Sequence, residues 1–142
     1  MIWMLVALFG EKANKRLLHL AFQKTPSLII DCGNCANPHA LRVRERQLHE
    51  VYVMNAEAIY RFREALRQAP AWIRKLNIQC VLITTIHALF SYDNEEENEK
   101  IIRHCWQKMK EFPVPVYIAV NPMHPNYAKD FADRIINKYH NI

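Results

Sequence analysis

Apolar positions along the chain fall into short continuous runs separated by stretches with helical spacing. Ile2–Phe9 is an unbroken apolar run closed by Gly10 and a basic turn, the pattern of a strand buried on both faces. From Asn14 to Gln23, Leu17, Leu18, Leu20 and Ala21 fall on one face of a short helix, and Pro26 ends it because proline drives the preceding residue out of the helical region. Ser27–Asp31 is a second apolar strand ending in a carboxylate. The turn-forming stretch Cys32–His39 follows, then a basic helix from Ala40 to Leu48 and a strand at Val51–Met54. Asn55 is the expected N-cap of a helix to Gln68, which Pro70 interrupts before a helical turn at Trp72–Ile73. Ile78–Thr84 is the most strand-like segment. Ile101, Ile102, Cys105, Trp106, Met109 and Phe112 form the apolar stripe of the next helix. Its acidic first turn, Glu95–Glu99, suits the positive end of a helix dipole. Val114–Val120 is the last strand, and Tyr127–Lys138 a closing helix.

Strands without alternation, each followed by a helix, predict an α/β three-layer sandwich around a mainly parallel sheet of about five strands, with 1–142 as one domain. Ligands of such folds sit at the carboxyl ends of the strands, here Phe9/Gly10, Asp31–Cys35, Met54/Asn55, Thr84/Thr85 and Asn121. Composition is that of an ordinary globular chain, with 51% apolar and 23% charged residues. The apolar N-terminus has no preceding basic residues and no small-residue cleavage site, so the expected address is the cytoplasm, with no membrane association. A net charge of +5 is compatible with a polyanionic partner.

Several segments resemble the core of RecA/RadA-type ATPases. Gly10-Glu-Lys-Ala-Asn-Lys-Arg-Leu17 stands where that family carries G-x-x-x-x-G-K-[ST], after a strand and opening a helix. Leu28-Ile-Ile-Asp-Cys-Gly-Asn34 is similar to its strand ending in Asp-Thr-Glu-Gly, and Glu50–Ala56 with Tyr60–Leu66 to its next strand and helix. Val81–Phe90 followed by Asn94–Ile102 resembles the Walker B strand and its continuation, and Val116–Asn121 the strand ending in Asn-Gln. The resemblance covers roughly residues 4–122 and is closest to archaeal RadA paralogs of the RadB kind.

The same register removes the chemistry. A phosphate loop needs glycine for its path, lysine for the β/γ charge and a hydroxyl for Mg²⁺, where this chain has Lys15, Arg16 and Leu17. Thr84 replaces the Walker B carboxylate, Gly33 the water-activating glutamate and Pro122 the sensing glutamine. The resemblance thus implies a degenerate nucleotide site at Gly10, Lys15, Arg16, Leu17, Asp31, Gly33, Thr84 and Asn121. It implies no catalytic residues and no cofactor, hence a pseudo-ATPase working as a protein-interaction module in DNA recombination or repair. The partner is then a RadA-type recombinase or a second copy of the chain, in a homo-oligomer.

Two other readings come from the residues alone. Lys12, Lys15 and Arg16, with Arg42, Arg44 and Arg46, form basic groups that suit a nucleic-acid backbone such as DNA, without aromatic residues among them to stack bases. Cys32-x-x-Cys35 with His39 supplies two thiolates and an imidazole, one short of a closed tetrahedral metal site. The pair also fits a disulfide or thiol redox chemistry, which would need a lowered thiolate pKa, and fits best a turn with two small buried side chains; Cys80 and Cys105 read as core residues.

Overall fold

The computed structural model describes residues 4–33, 50–89, 95–123 and 127–137. Among them the elements run β1 (Leu5–Phe9), α1 (Ala13–Gln23), β2 (Ser27–Cys32), β3 (Val51–Ala56), α2 (Ile59–Leu76) and β4 (Cys80–Ile83). A 3₁₀ turn (His87–Leu89), α3 (Glu95–Lys110), β5 (Val116–Val120), α4 (Ala128–Phe131) and β6 (Arg134–Ile136) complete the series. The six strands form one sheet in the order β3-β2-β4-β5-β1-β6, and every pairing is parallel. The fold is α/β, with helices on both faces of the sheet. The helix expected at Ala40–Leu48 lies outside the described residues.

The strand order dictates which helix covers which face. The chain moves toward the β3 edge after β1 and back toward the β6 edge after β3, β4 and β5. Right-handed crossovers therefore put α1 on one face and α2, α3 and α4 on the other. The two buried clusters follow that division. Leu17, Leu20 and Ala21 of α1 pack with Val6, Leu8, Ile29 and Leu82. Phe62, Leu66, Ala69 and Ile73 of α2 pack with Cys105, Trp106 and Met109 of α3 against Leu28, Ile30, Val81, Ile83 and Ile118. The alternation of β2 is thus resolved: Leu28, Ile30 and Cys32 face α2 and α3, whereas Ile29 faces α1.

Three expectations are corrected. First, α2 runs unbroken from Ile59 to Leu76 with Pro70 inside it. A proline there removes one ladder hydrogen bond and crowds the preceding turn. Burial of Phe62, Leu66, Ala69 and Ile73 on a single stripe offsets that cost. Second, Asn55 belongs to β3, in register with Asp31, and Ala58 stands at the N-cap without a side-chain bond.

Third, the closing helix is reduced to four residues, and the chain then adds a sixth strand. Asp133 is the reason. Its backbone N–H donates to the Leu5 carbonyl at 2.8 Å and its carboxylate accepts the Leu5 N–H at 2.7 Å. Both ends of one β1 peptide position are thereby held by a single residue, and Arg134–Ile136 are laid alongside Val6–Leu8. Without β6 the apolar strand β1 would present an open edge, with backbone groups lacking partners.

Asp133→Ala should cost about 1–3 kcal/mol in urea unfolding and increase hydrogen exchange at the Leu5 amide. Asp133→Asn, which keeps an acceptor oxygen, should recover most of the loss.

Candidate functional site at the strand tips

Strands β2 and β4 are neighbours whose following connections leave in opposite directions, toward β3 and toward β5. Such a divergence opens the crevice in which ligands of parallel sheets bind. Asp31 and Thr84 stand at that point, at 1% and 0% exposure. The Thr84 hydroxyl oxygen accepts the Cys32 N–H at 2.6 Å. Its proton has two acceptors within reach, Asp31 Oδ1 and the Cys32 carbonyl, both at 3.4 Å. The Thr84 N–H meanwhile continues the ladder to the Ile30 carbonyl at 3.2 Å. Thr84 thus ties two strand ends together.

Across the crevice, β1 passes into α1 through only Gly10, Glu11 and Lys12. Gly10 has φ 127°, a region closed to residues with a β-carbon. Its N–H donates to Val120 and its carbonyl accepts the Ala13 N–H, each at 3.3 Å. The helix is under way at Ala13, so Lys15, Arg16 and Leu17 are helical residues. Lys12 and Lys15 are exposed, Arg16 is half-buried, and Leu17 is 2% exposed within the core beneath α1. Asn14 then bridges the crevice. Its Oδ1 accepts the Thr85 N–H at 3.0 Å, and its Nδ2 donates to Thr85 Oγ1 at 3.2 Å.

Gly33 and Asn121 directly follow Cys32 and Val120, which take part in this cluster. Gly33 is exposed at φ 88°. Asn121 Oδ1 accepts the Met123 N–H at 3.0 Å, closing a local turn. The structure brings together Asp31, Thr84 and the start of α1, joined by Thr85, expected at a strand end, and Asn14, which sequence reasoning did not place at the site. No motif signals their pairing, because they lie 71 positions apart in the chain.

The cysteine reading divides. Cys35 and His39 lie outside the described residues. Cys32 is fully buried on the α2/α3 side of the sheet, its thiol 3.9 Å from the Ile30 carbonyl. Cys80 and Cys105 are core residues, as expected, and burial pushes each thiol up to about 12. Among the described residues no group of three or more His, Cys, Asp and Glu side chains is placed to hold a metal ion.

Arg42, Arg44 and Arg46 also lie outside the described residues. The positive charge that is described concentrates elsewhere. Of 19 cations and 14 carboxylates in the chain, α2 holds five and one (Arg61, Arg63, Arg67, Arg74 and Lys75 against Glu64), so it carries nearly all of the net +5. Two exposed aromatic rings lie on the same helix, Tyr60 at 55% and Trp72 at 40% exposure. Arg63 and Lys75 lie over them at 5.3 and 5.2 Å from the ring centres. The interleaving missing from the Lys12–Arg16 group is present here. Glu64 pairs with Arg67, which lowers its carboxyl below the ordinary value.

Among the described residues no helix is long and apolar enough to cross a membrane. The chain matches no protein-family model and no curated protein sequence.

The two raised thiols set a pH dependence. Between their ordinary value of 9.0 and about 12 the unfolded chain has released thiol protons that the folded chain retains. Fewer protons on the unfolded state means that stability falls as pH rises through this window, with no contribution below it. The urea midpoint should drop from pH 8 to pH 10.5, and drop less in Cys105→Ala, whatever that substitution does at pH 8. At pH 8 a thiol reagent should leave Cys80 and Cys105 unmodified until the protein unfolds.

Proposed function

We propose that the domain is a non-catalytic paralog of the RecA/RadA kind, a pseudo-ATPase that serves recombination or repair as a protein-interaction module. The observation that carries this reading is the position at which α1 begins. A loop that wraps a triphosphate needs several consecutive residues outside the helix, with their N–H groups turned to one point. Here three residues separate β1 from α1. The crevice that would receive the phosphates is spanned by the Asn14–Thr85 pair. Leu17, in the place of the hydroxyl residue that ligates magnesium, faces apolar neighbours. Thr84, in the place of the carboxylate, is committed to the β2 backbone. Magnesium prefers charged oxygen and water, and Thr84 brings a neutral hydroxyl. The sequence resemblance over residues 4–122 supplies the biological setting, and the parallel sheet is compatible with it.

Purified protein should release no inorganic phosphate from ATP above background and should leave the fluorescence of a labelled ATP analogue unchanged with Mg²⁺ present. It should also co-purify with a RadA-type recombinase or self-associate in sedimentation. ATP turnover or saturable ATP binding overturns the pseudo-ATPase reading. Absence of both associations overturns the interaction role.

The α2 face favours a second reading, a nucleic-acid-binding domain whose phosphate contacts lie on this helix, away from the strand tips. Its cations and Trp72 have the composition of a surface for flexible single strands. If this reading holds, Arg67→Glu, Arg74→Glu and Lys75→Glu together weaken oligonucleotide binding for every sequence and flatten its salt dependence by about one unit of slope per lost contact. Lys12→Glu with Lys15→Glu leaves the binding unchanged. The reverse pattern in filter binding at two salt concentrations places the contacts at the start of α1 instead.

A further inference from the structure

The two edges of the sheet are built differently. At one edge, β6 has only three residues and begins with the charged Arg134. Short strands and charges are the usual means of keeping an edge from pairing with another chain. At the other edge, β3 has six residues, Val51–Ala56, and none of them is charged. Two of its apolar side chains, Tyr52 and Val53, are 37% and 38% exposed. α1 packs mainly against β4 and β5, so the Val53 side of β3 lies beyond its cover.

The backbone of β3 is half used. The Ser27 N–H donates to the Glu50 carbonyl at 3.0 Å, and Ser27 stands in register with Val51. Bonding groups alternate between the two sides of a strand, so Glu50, Tyr52 and Met54 turn theirs toward β2. Val51, Val53 and Asn55 turn N–H and carbonyl outward, where among the described residues no strand pairs with them. The side chains alternate as well. Tyr52 and Met54 share the α2 side of the sheet with Leu28 and Ile30, while Val51 and Val53 share the α1 side with Ile29.

We infer that β3 pairs with β3 of a second copy of the chain, antiparallel about a two-fold axis at Val53, so that two sheets become one. This centre sets Val53 opposite Val53 and Val51 opposite Asn55. Each opposed pair exchanges two N–H···O bonds, so every outward backbone group of Val51, Val53 and Asn55 finds a partner in both copies. Tyr52 then meets Met54 on the α2 side, and Val53 meets its own counterpart on the other, the kind of apolar cross-strand contact that stabilises antiparallel pairs. No like charges oppose one another along the seam. The outward set is its own complement about Val53, which selects a second copy as the occupant, and the two-fold closes the assembly at a dimer. The assignment rests on the interaction reading for its role and on the β3 edge for its geometry.

Sedimentation equilibrium of the full chain should show a monomer–dimer equilibrium with a Kd of about 100 µM, as suits a small interface. Where the dimer predominates, hydrogen exchange should be slow at the Val51, Val53 and Asn55 amides. On dilution these three should accelerate, while Tyr52 and Met54 stay protected by β2. Val53→Glu and Val53→Lys each set like charges directly opposite across the seam, and each variant alone should be monomeric. Mixed in equal amounts the two should dimerise again, a recovery that misfolded variants could not show. A monomer at every concentration up to about 1 mM, outward amides that exchange equally fast in dimer and monomer, or a mixture that stays monomeric would each overturn the pairing. A chain that never dimerises yet co-purifies with a RadA-type recombinase would defeat the pairing and leave the interaction reading standing.

Discussion

The point at which α1 starts is the constraint from which the strand-tip geometry follows. Only three residues lie between β1 and Ala13, and Gly10 spends its backbone groups on Val120 and Ala13. The first helical turn is thus fixed against the sheet end, and Asn14 arrives opposite Thr85. The same start rotates Leu17 and Leu20 onto the sheet, and it buries Ala13 in the first turn. Uncovering one fully buried leucine costs about 1.5–3 kcal/mol. A phosphate loop in the register of the resemblance would have to take Ala13 and Asn14 out of α1 and break the Asn14–Thr85 bonds.

The far edge of the sheet is governed by a comparable local device. β1 is wholly apolar and lies inside the sheet, so it needs partners on both sides. β5 supplies one along the full strand, from Leu5 to Phe9. The other comes from a three-residue strand that is viable because Asp133 grips Leu5 through both backbone and side chain. Lys110, 3.7 Å from the other carboxylate oxygen, links that corner to the end of α3. The Arg103 guanidinium, over the rings of Tyr127 and Phe131 at 5.2 and 5.6 Å, links α4 to α3 in the same manner.

Much of this was legible in the chain because the apolar runs of β1, β2, β4 and β5 have no alternation, and because α1 and α3 carry unambiguous stripes. The errors arose where tertiary context overrides local preference. Pro70 argues for a break, yet the apolar residues on both sides continue one stripe, and packing outweighs a single lost hydrogen bond. Asn55 is a good cap by type, but its register beside Asp31 keeps it in β3. Residues 134–136 have no strand signal beyond Ile135 and Ile136, and they pair only because β1 offers an open edge. At the site, Lys15, Arg16, Leu17 and Thr84 were singled out through the resemblance to RecA/RadA-type cores. The new partnerships of Asn14, Thr85 and Thr84 were not, since hydrogen bonds between segments distant in sequence leave no periodicity.

The polar groups at the strand tips are satisfied by one another, and this bears on whether a phosphate can bind there. At the strand tips, Thr84 bonds to Cys32 and Asn14 bonds twice to Thr85. A phosphate entering there would have to displace these bonds, each worth about 1 kcal/mol net and more if a buried group is left without a partner. It would gain no glycine-lined nest in return.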